Sequence, residues 1–237
     1  MFSNKIKFYS EFKNYIAEPK PSILNIPKEY KNMKSFVEQD DPRTVKTCVP
    51  FLDALTCGYI IPFPIDYSYQ YDQENTKVVF KTNVGLPLDF ADKFKVTNHP
   101  EYQVSKELRH NKRTVEAIFK FYNPWLIKTP PGYSCIFTQP FNRNLPFKII
   151  DGIVDTDTYK DNIQFPFYWT NPHDEKIILE AGSPMVLVIP FKRESWKMET
   201  HVEKDKDLKI KSLEHIKFHS SIMNNYKKMV WNKKSFK

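Results

Sequence analysis

Residues 129–193 decide the fold, through T-P-P-G-Y-S at 129–134, G-I-V-D-T-D-T-Y at 152–159, A-G-S-P-M at 181–185 and V-L-V-I-P-F-K-R at 186–193. Pro130 and Pro131 preset φ and Gly132 accepts a positive value, so the first segment is a tight turn leading into a strand. The run 186–193 is apolar and β-branched, as a buried strand requires. Between them lies a loop carrying two carboxylates, Asp155 and Asp157. The stretch predicts strands at 126–129, 133–138, 147–154, 162–170, 176–180 and 185–191, with turns at Asn171-Pro172 and Gly182-Ser183-Pro184.

Working outward toward the N-terminus, 58–62, 76–81 (T-K-V-V-F-K) and 116–121 also have strand composition, whereas 84–90 and 99–109 read as connecting loops. Many short strands with turn signals and no alternating helices predict a mainly β body, a sandwich, jelly roll or small barrel. The composition agrees. Of 237 residues 41% are apolar and 15% aromatic, enough for a core, while Gly is scarce at 5 and Pro abundant at 18. No G-x-G-x-x-G, Walker-type loop or G-x-S-x-G elbow occurs, which argues against the commonest nucleotide and hydrolase chemistries.

Three regions are expected: an N-terminal arm over 1–47, a β-sandwich body over 48–195 and a basic C-terminal helical extension over 196–237. The arm is polar but carries Phe8, Phe12, Tyr15, Tyr30 and Phe36, aromatics that predict ordering against the body or a neighbouring subunit. In the extension, Leu213, Ile216, Met223, Tyr226 and Val230 recur at helical spacing and predict a helix over 208–231, the only one expected. The formal charge of +8 is concentrated there, with thirteen Lys and Arg against six Asp and Glu over 192–237. Either a solvated face or contact with an acidic partner, nucleic acid through 204–237 included, follows from that surplus. The first dozen residues lack the apolar run of a secretory signal, and no run is long enough for a bilayer span. Cys48, Cys57 and Cys135 show no C-x-x-C spacing and read as reduced thiols in a cytosolic setting.

Over nearly its whole length the chain resembles a family of uncharacterised proteins from marine bacteriophages and some bacteria. The resemblance runs through V-K-T-C-V-P-F-L-D-A-L-T-C-G-Y-I-I-P at 45–62, N-P-W at 123–125, T-P-P-G-Y-S, G-I-V-D-T-D and I-P-F-K-R-E at 189–194. It implies a phage source and no activity. A second resemblance, over about 124–191, is to the trimeric dUTPase and dCTP deaminase superfamily: Pro131-Gly132-Tyr133 matches its entry turn, Gly152 to Asp157 followed by Tyr159 its G-V-I-D-x-D-Y loop, and Gly182-Ser183-Pro184-Met185 its G-D-R-I-A-Q strand. This implies a jelly-roll or β-clip (dUTPase-like) sandwich. It also implies Asp155 as the base activating water, with Tyr159 stacking on deoxyribose. The family's R-S-G motif aligns near Q-P-F-N-R at 139–143, where Arg143 is the phosphate donor. An apolar residue replaces the Asp of the family's A-G-x-D-L near 57–61, and the Gly-rich lid is missing.

Two chemistries compete for the carboxylates. Asp155 and Asp157 two apart at a strand end suit a cation or general base, or an Asx-type turn capping nearby amides. His215 and His219 stand at i, i+4, a metal-sharing spacing with no third ligand evident, so no metal site is expected. Trp125, Trp169, Trp196 and Trp231 suit core or subunit contacts, or stacking on bases.

Taken together, these features predict a non-catalytic phage protein that self-associates, with a trimer as the form considered, and acts with other virion proteins in structure or assembly. No cofactor or membrane partner is expected, and the location is the infected host's cytoplasm or the virion. The alternative is a nucleotide-binding or nucleotide-hydrolysing enzyme with Asp155, Asp157 and Tyr159 as catalytic residues, Arg143, Gln139 and Asn142 as ligand contacts, and Mg²⁺ as cofactor.

Overall fold

The computed structural model describes residues 4–37, 43–72, 77–82, 92–103, 118–170, 176–202, 211 and 226–237. Among these residues fourteen strands follow in chain order: β1 (Lys7–Tyr9), β2 (Lys20–Pro21), β3 (Tyr59–Pro62), β4 (Tyr67–Asp72), β5 (Lys77–Thr82), β6 (Thr97–His99) and β7 (Ile118–Phe121). Then come β8 (Leu126–Lys128), β9 (Tyr133–Thr138), β10 (Phe147–Ile149), β11 (Gly152–Val154), β12 (Phe165–Trp169), β13 (Ile177–Leu179) and β14 (Pro184–Lys192). The protein is mainly β, and every described ladder is antiparallel.

The chain divides into two compact units. The first comprises Met1–Pro27, Leu55–Arg193 and Phe236. It holds a five-stranded sheet ordered β11-β9-β14-β3-β2, a four-stranded sheet β10-β12-β7-β6, a three-stranded sheet β13-β4-β5 and the pair β1-β8. Inward side chains of these sheets meet in one hydrophobic cluster. Phe121 stacks on Phe167 with centroids 3.7 Å apart, Tyr69 stacks on Trp169 at 3.8 Å, and Phe137 reaches across to Phe165 at 5.7 Å. Burying such rings supplies most of the drive to fold, at roughly 25 cal/mol per Å² of apolar area. The arm joins this core. Phe12 and Ile16 are buried in the cluster, and β1 pairs with β8.

β14 organises the five-stranded sheet because it pairs β3 over its first half and β9 over its second. Pro190, which has no N–H to offer, lies where only β9 flanks the strand. Gly58, at φ +69°, stands where a Cβ would come 2.2 Å from the Val188 carbonyl oxygen, so only glycine lets the chain turn against β14 there.

Local readings differ from the structure at several places. The single strand expected over 147–154 is two, β10 and β11, which belong to different sheets. The break comes at Ile150 and Asp151: the Ile150 amide still bonds the Pro166 carbonyl of β12 at 2.8 Å, and the Asp151 carboxylate accepts from Thr138 Oγ1 on β9 at 2.6 Å. β4 was not expected, although Tyr67 and Tyr69 alternate inward in Y-S-Y-Q. Helices appear where none was read: α1 (Lys28–Asn32) and α2 (Val49–Thr56), the latter admitting Pro50 in its first turn, where no amide donor is needed. The loop read over 99–109 starts with the last residue of β6 and a 3₁₀ turn at Glu101–Gln103, and its remainder lies outside the described residues.

The second unit comprises Lys28–Ala54, Glu194–Ser235 and Lys237. Tyr30 of α1 stacks on Phe51 of α2 with centroids 5.6 Å apart, and Lys46 Nζ sits over the Tyr30 ring while donating to the carbonyls of Tyr30 and Lys31. Asp53 accepts from Trp231 Nε1 at 3.0 Å and from Lys234 Nζ at 2.7 Å. Most of the helix expected over 208–231, with His215 and His219, lies outside the described residues, and Tyr226–Val230 form one π-helical turn. Among the described residues no helix is long and apolar enough to cross a membrane.

Candidate functional site

The carboxylate loop sits at the corner where β9, β11 and β14 come together. Register places it there: Val154 opposes Cys135 and Lys192 opposes Tyr133, so the residues just beyond these strands, Asp155 and Arg193, converge on the start of β9. The loop is wound by its own backbone, the Asp155 carbonyl accepting from the amides of Thr158 at 3.1 Å and Tyr159 at 2.9 Å. Thr156, fully buried, ties it to the body through Thr129 Oγ1 at 2.8 Å and Cys135 Sγ at 3.3 Å. Burial pushes the Cys135 thiol up to about 11, which leaves it an inert core group.

Arg193 fills the space between the two carboxylates. Its Nη1 is 3.2 Å from Asp155 Oδ1 and 2.9 Å from Asp157 Oδ1, and its Nη2 is 2.5 Å from Asp157 Oδ2. The guanidinium fork therefore takes Asp157 bidentately and shares the remaining direction with Asp155, the Tyr133 carbonyl and Ser134 Oγ, each of the last two at 3.0 Å. The turn glycine closes the arrangement. Gly132, at φ +83°, directs its amide to Asp157 Oδ2 at 2.8 Å, and its carbonyl accepts from the Arg193 amide at 2.8 Å.

The two carboxylates differ within this clamp. The Asp157 side chain is only 6% exposed, and the bonds from Arg193, then the Gly132 amide, hold its carboxyl down at about 2. The same hydrogen bond to Asp157 raises the Arg193 guanidinium further, so the pair stays charged over the whole working range of pH. Asp155 is 62% exposed and accepts from Ser134 Oγ at 2.6 Å as well as from Arg193. The Arg193 guanidinium therefore stands between the two carboxylates. Tyr159 is exposed at the far side of the turn, where Lys128 Nζ bonds its carbonyl.

The other proposed contacts lie elsewhere. Gln139, Asn142 and Arg143 line an open cleft of about 640 Å³ beyond the opposite end of β9, together with Phe141, Lys148 and Asp151. The five residues from Ser134 to Gln139 separate the two places by about 17 Å along the strand. Gln139 Oε1 accepts from the Ile149 amide at 2.9 Å, Arg143 Nη2 bonds the Asn25 carbonyl, and Asn142 holds φ +54° in the turn between them. Within one chain, then, the water-activating Asp155 and the sugar-stacking Tyr159 implied by the resemblance stand at one end of β9, and Gln139, Asn142 and Arg143 at the other.

Sequence reasoning missed Arg193 as a partner for the loop, since its only local signal is a lone arginine ending an apolar strand. Of the tryptophans, Trp125 and Trp169 are core residues, Trp231 is bound to Asp53, and Trp196 is exposed. Cys48, Cys57 and Cys135 are all free thiols, and among the described residues no three His, Cys, Asp or Glu side chains gather as metal ligands. The chain matches no protein-family model, no curated protein and no solved structure.

Proposed function

We propose that the chain is a non-catalytic, self-associating phage protein with a dUTPase-like jelly-roll or β-clip body, acting in virion structure or assembly. The observation that carries this reading is Arg193 seated between Asp155 and Asp157. A general base needs an unengaged lone pair within reach of its proton and a pKa near the operating pH. Asp157, held down at about 2 by Arg193 and the Gly132 amide, lacks such a pKa, and Asp155 shares its Oδ1 between Ser134 and Arg193. The loop's role in this reading is architectural: it fixes the end of β14 against β9.

Nucleoside triphosphates with Mg²⁺, followed by thermal shift and pyrophosphate release, test the absence of catalysis, while light scattering tests self-association. No release and a mass above that of one chain are expected. Release that disappears in Asp155→Asn would overturn the non-catalytic reading in favour of a nucleotide-hydrolysing enzyme.

A further inference from the structure

A second cleft lies within the first unit, where the N-terminal arm meets the body. It encloses about 600 Å³ and is lined by the arm residues Phe8 to Lys13 and by Tyr122, Pro124, Leu126 and Asn162 of the body. Both parts of the lining are fixed. The arm is held by the pairing of β1 with β8, which sets Tyr9 opposite Leu126, and by the buried Phe12, edge-on to Phe94 with centroids 5.2 Å apart. In the body, the fully buried Asn123 accepts from the Trp125 amide at 3.0 Å and donates to the Trp125 carbonyl at 2.9 Å, and Pro124 between them has its φ locked by its ring. A cleft whose walls are already ordered loses little on taking up a ligand.

The lining offers unused polar groups beside ring surfaces. Tyr9 is 50% exposed, and Tyr122 stands edge-on to Phe94 at 5.6 Å. Neither phenol has a hydrogen-bond partner among the described residues. Asn162 donates its Nδ2 to the Asn123 carbonyl at 3.0 Å, which fixes the amide and leaves Oδ1 as an acceptor without a partner among the described residues. Ser10 Oγ accepts from the Phe12 amide at 3.1 Å and keeps its own proton to donate. The charges are one carboxylate, Glu11, which Lys93 Nζ engages at 3.2 Å, and one ammonium, Lys13. A single lysine makes no cradle for a phosphate, which is held by several converging donors. An aliphatic ligand is no better matched, because it would desolvate the phenols and the amide without replacing their bonds to water. A saccharide fits both features: its C–H face lies on an aromatic ring, and the hydroxyls around it donate to and accept from phenol, hydroxyl and amide. We infer that this cleft binds a neutral saccharide, with the Tyr9 ring as the stacking platform and Tyr122 Oη, Ser10 Oγ and Asn162 Oδ1 reading the hydroxyls. This goes beyond the role proposed above and does not depend on it.

The test titrates the full chain with glucose, galactose, N-acetylglucosamine, cellotetraose and chitotetraose, followed by isothermal titration calorimetry and saturation-transfer NMR. Saturable binding of at least one of them is expected, weakened about tenfold in Tyr9→Ala and by a smaller factor in Tyr122→Phe. Tyr9 is half exposed and Tyr122→Phe keeps its ring, so circular dichroism of both variants should match the wild type. No binding by any of these sugars overturns the inference. Binding that neither variant weakens overturns the cleft as its location. A proline decapeptide is the competing occupant, since aromatic-lined grooves also receive polyproline helices. Binding of that peptide, lost in Tyr9→Ala, in a chain that takes none of the sugars would assign the cleft to proline-rich segments instead.

Discussion

The two ends of β9 carry the same kinds of side chain and use them differently. At the Tyr133 end, two carboxylates, a serine, a turn amide and Arg193 satisfy one another. At the Thr138 end, an amide, a carboxylate and an arginine are each tied to the backbone or to a hydroxyl, and an open cleft remains between them. The difference lies in what register brings opposite each end. The long strand β14 ends beside Tyr133 and delivers the guanidinium of the next residue, whereas at Thr138 it presents the apolar Leu187, which also pairs Ile60 of β3.

Perturbing the centre of the strand should affect both ends at once and produce the largest loss. Phe137, buried opposite Phe165, should cost about 3–5 kcal/mol on replacement by Ala, measured by urea unfolding. A loss below about 1 kcal/mol would mean that β9 does not hold the two ends in a common core.

Next comes the saturated end. Arg193→Ala should lower Tm and abolish a specific pH dependence. Because Asp157 sits near 2 when folded, below the ordinary carboxylate value of about 3.9, its stabilising contribution is complete above that value and is lost as pH falls toward 2. Wild-type stability should therefore decline across that acid window more steeply than that of the variant. Equal slopes would show that the clamp is electrostatically silent.

Effects at the open end should be smaller. Gln139→Ala removes the acceptor of the Ile149 amide and should cost about 1 kcal/mol in chemical denaturation, with no change in the acid window. Smallest of all, Asn142→Gly should leave stability within about 0.5 kcal/mol, since glycine accepts the positive φ that asparagine already tolerates there. A larger loss would mean that the Asn142 side chain, and not only its backbone, organises the cleft.

Much of the sheet was legible before folding. The span Tyr133–Thr138 matches its reading, and the 130–133 turn follows from Pro131 and Gly132, because turn chemistry is settled within four residues. The readings over 58–62 and 185–191 lie within a residue of β3 and β14, since apolar β-branched runs leave little choice of conformation. The division of 147–154 was hidden because both halves have strand composition, and only the bonds to Pro166 and Thr138 tell them apart. Tyr67 and Tyr69 signalled β4 by alternation, a cue that charged and polar neighbours made easy to pass over.

By itself the sequence determined that two carboxylates would stand on a turn at the end of a strand, because proline, glycine and side-chain alternation act over a few residues. Only the tertiary structure decided what those carboxylates bond. Arg193 lies 36 residues beyond Asp157, and the pairing of Lys192 with Tyr133 is what carries it to that corner. Sheet register is a long-range choice made by the burial of whole strand faces, and no local pattern around 152–159 contains it.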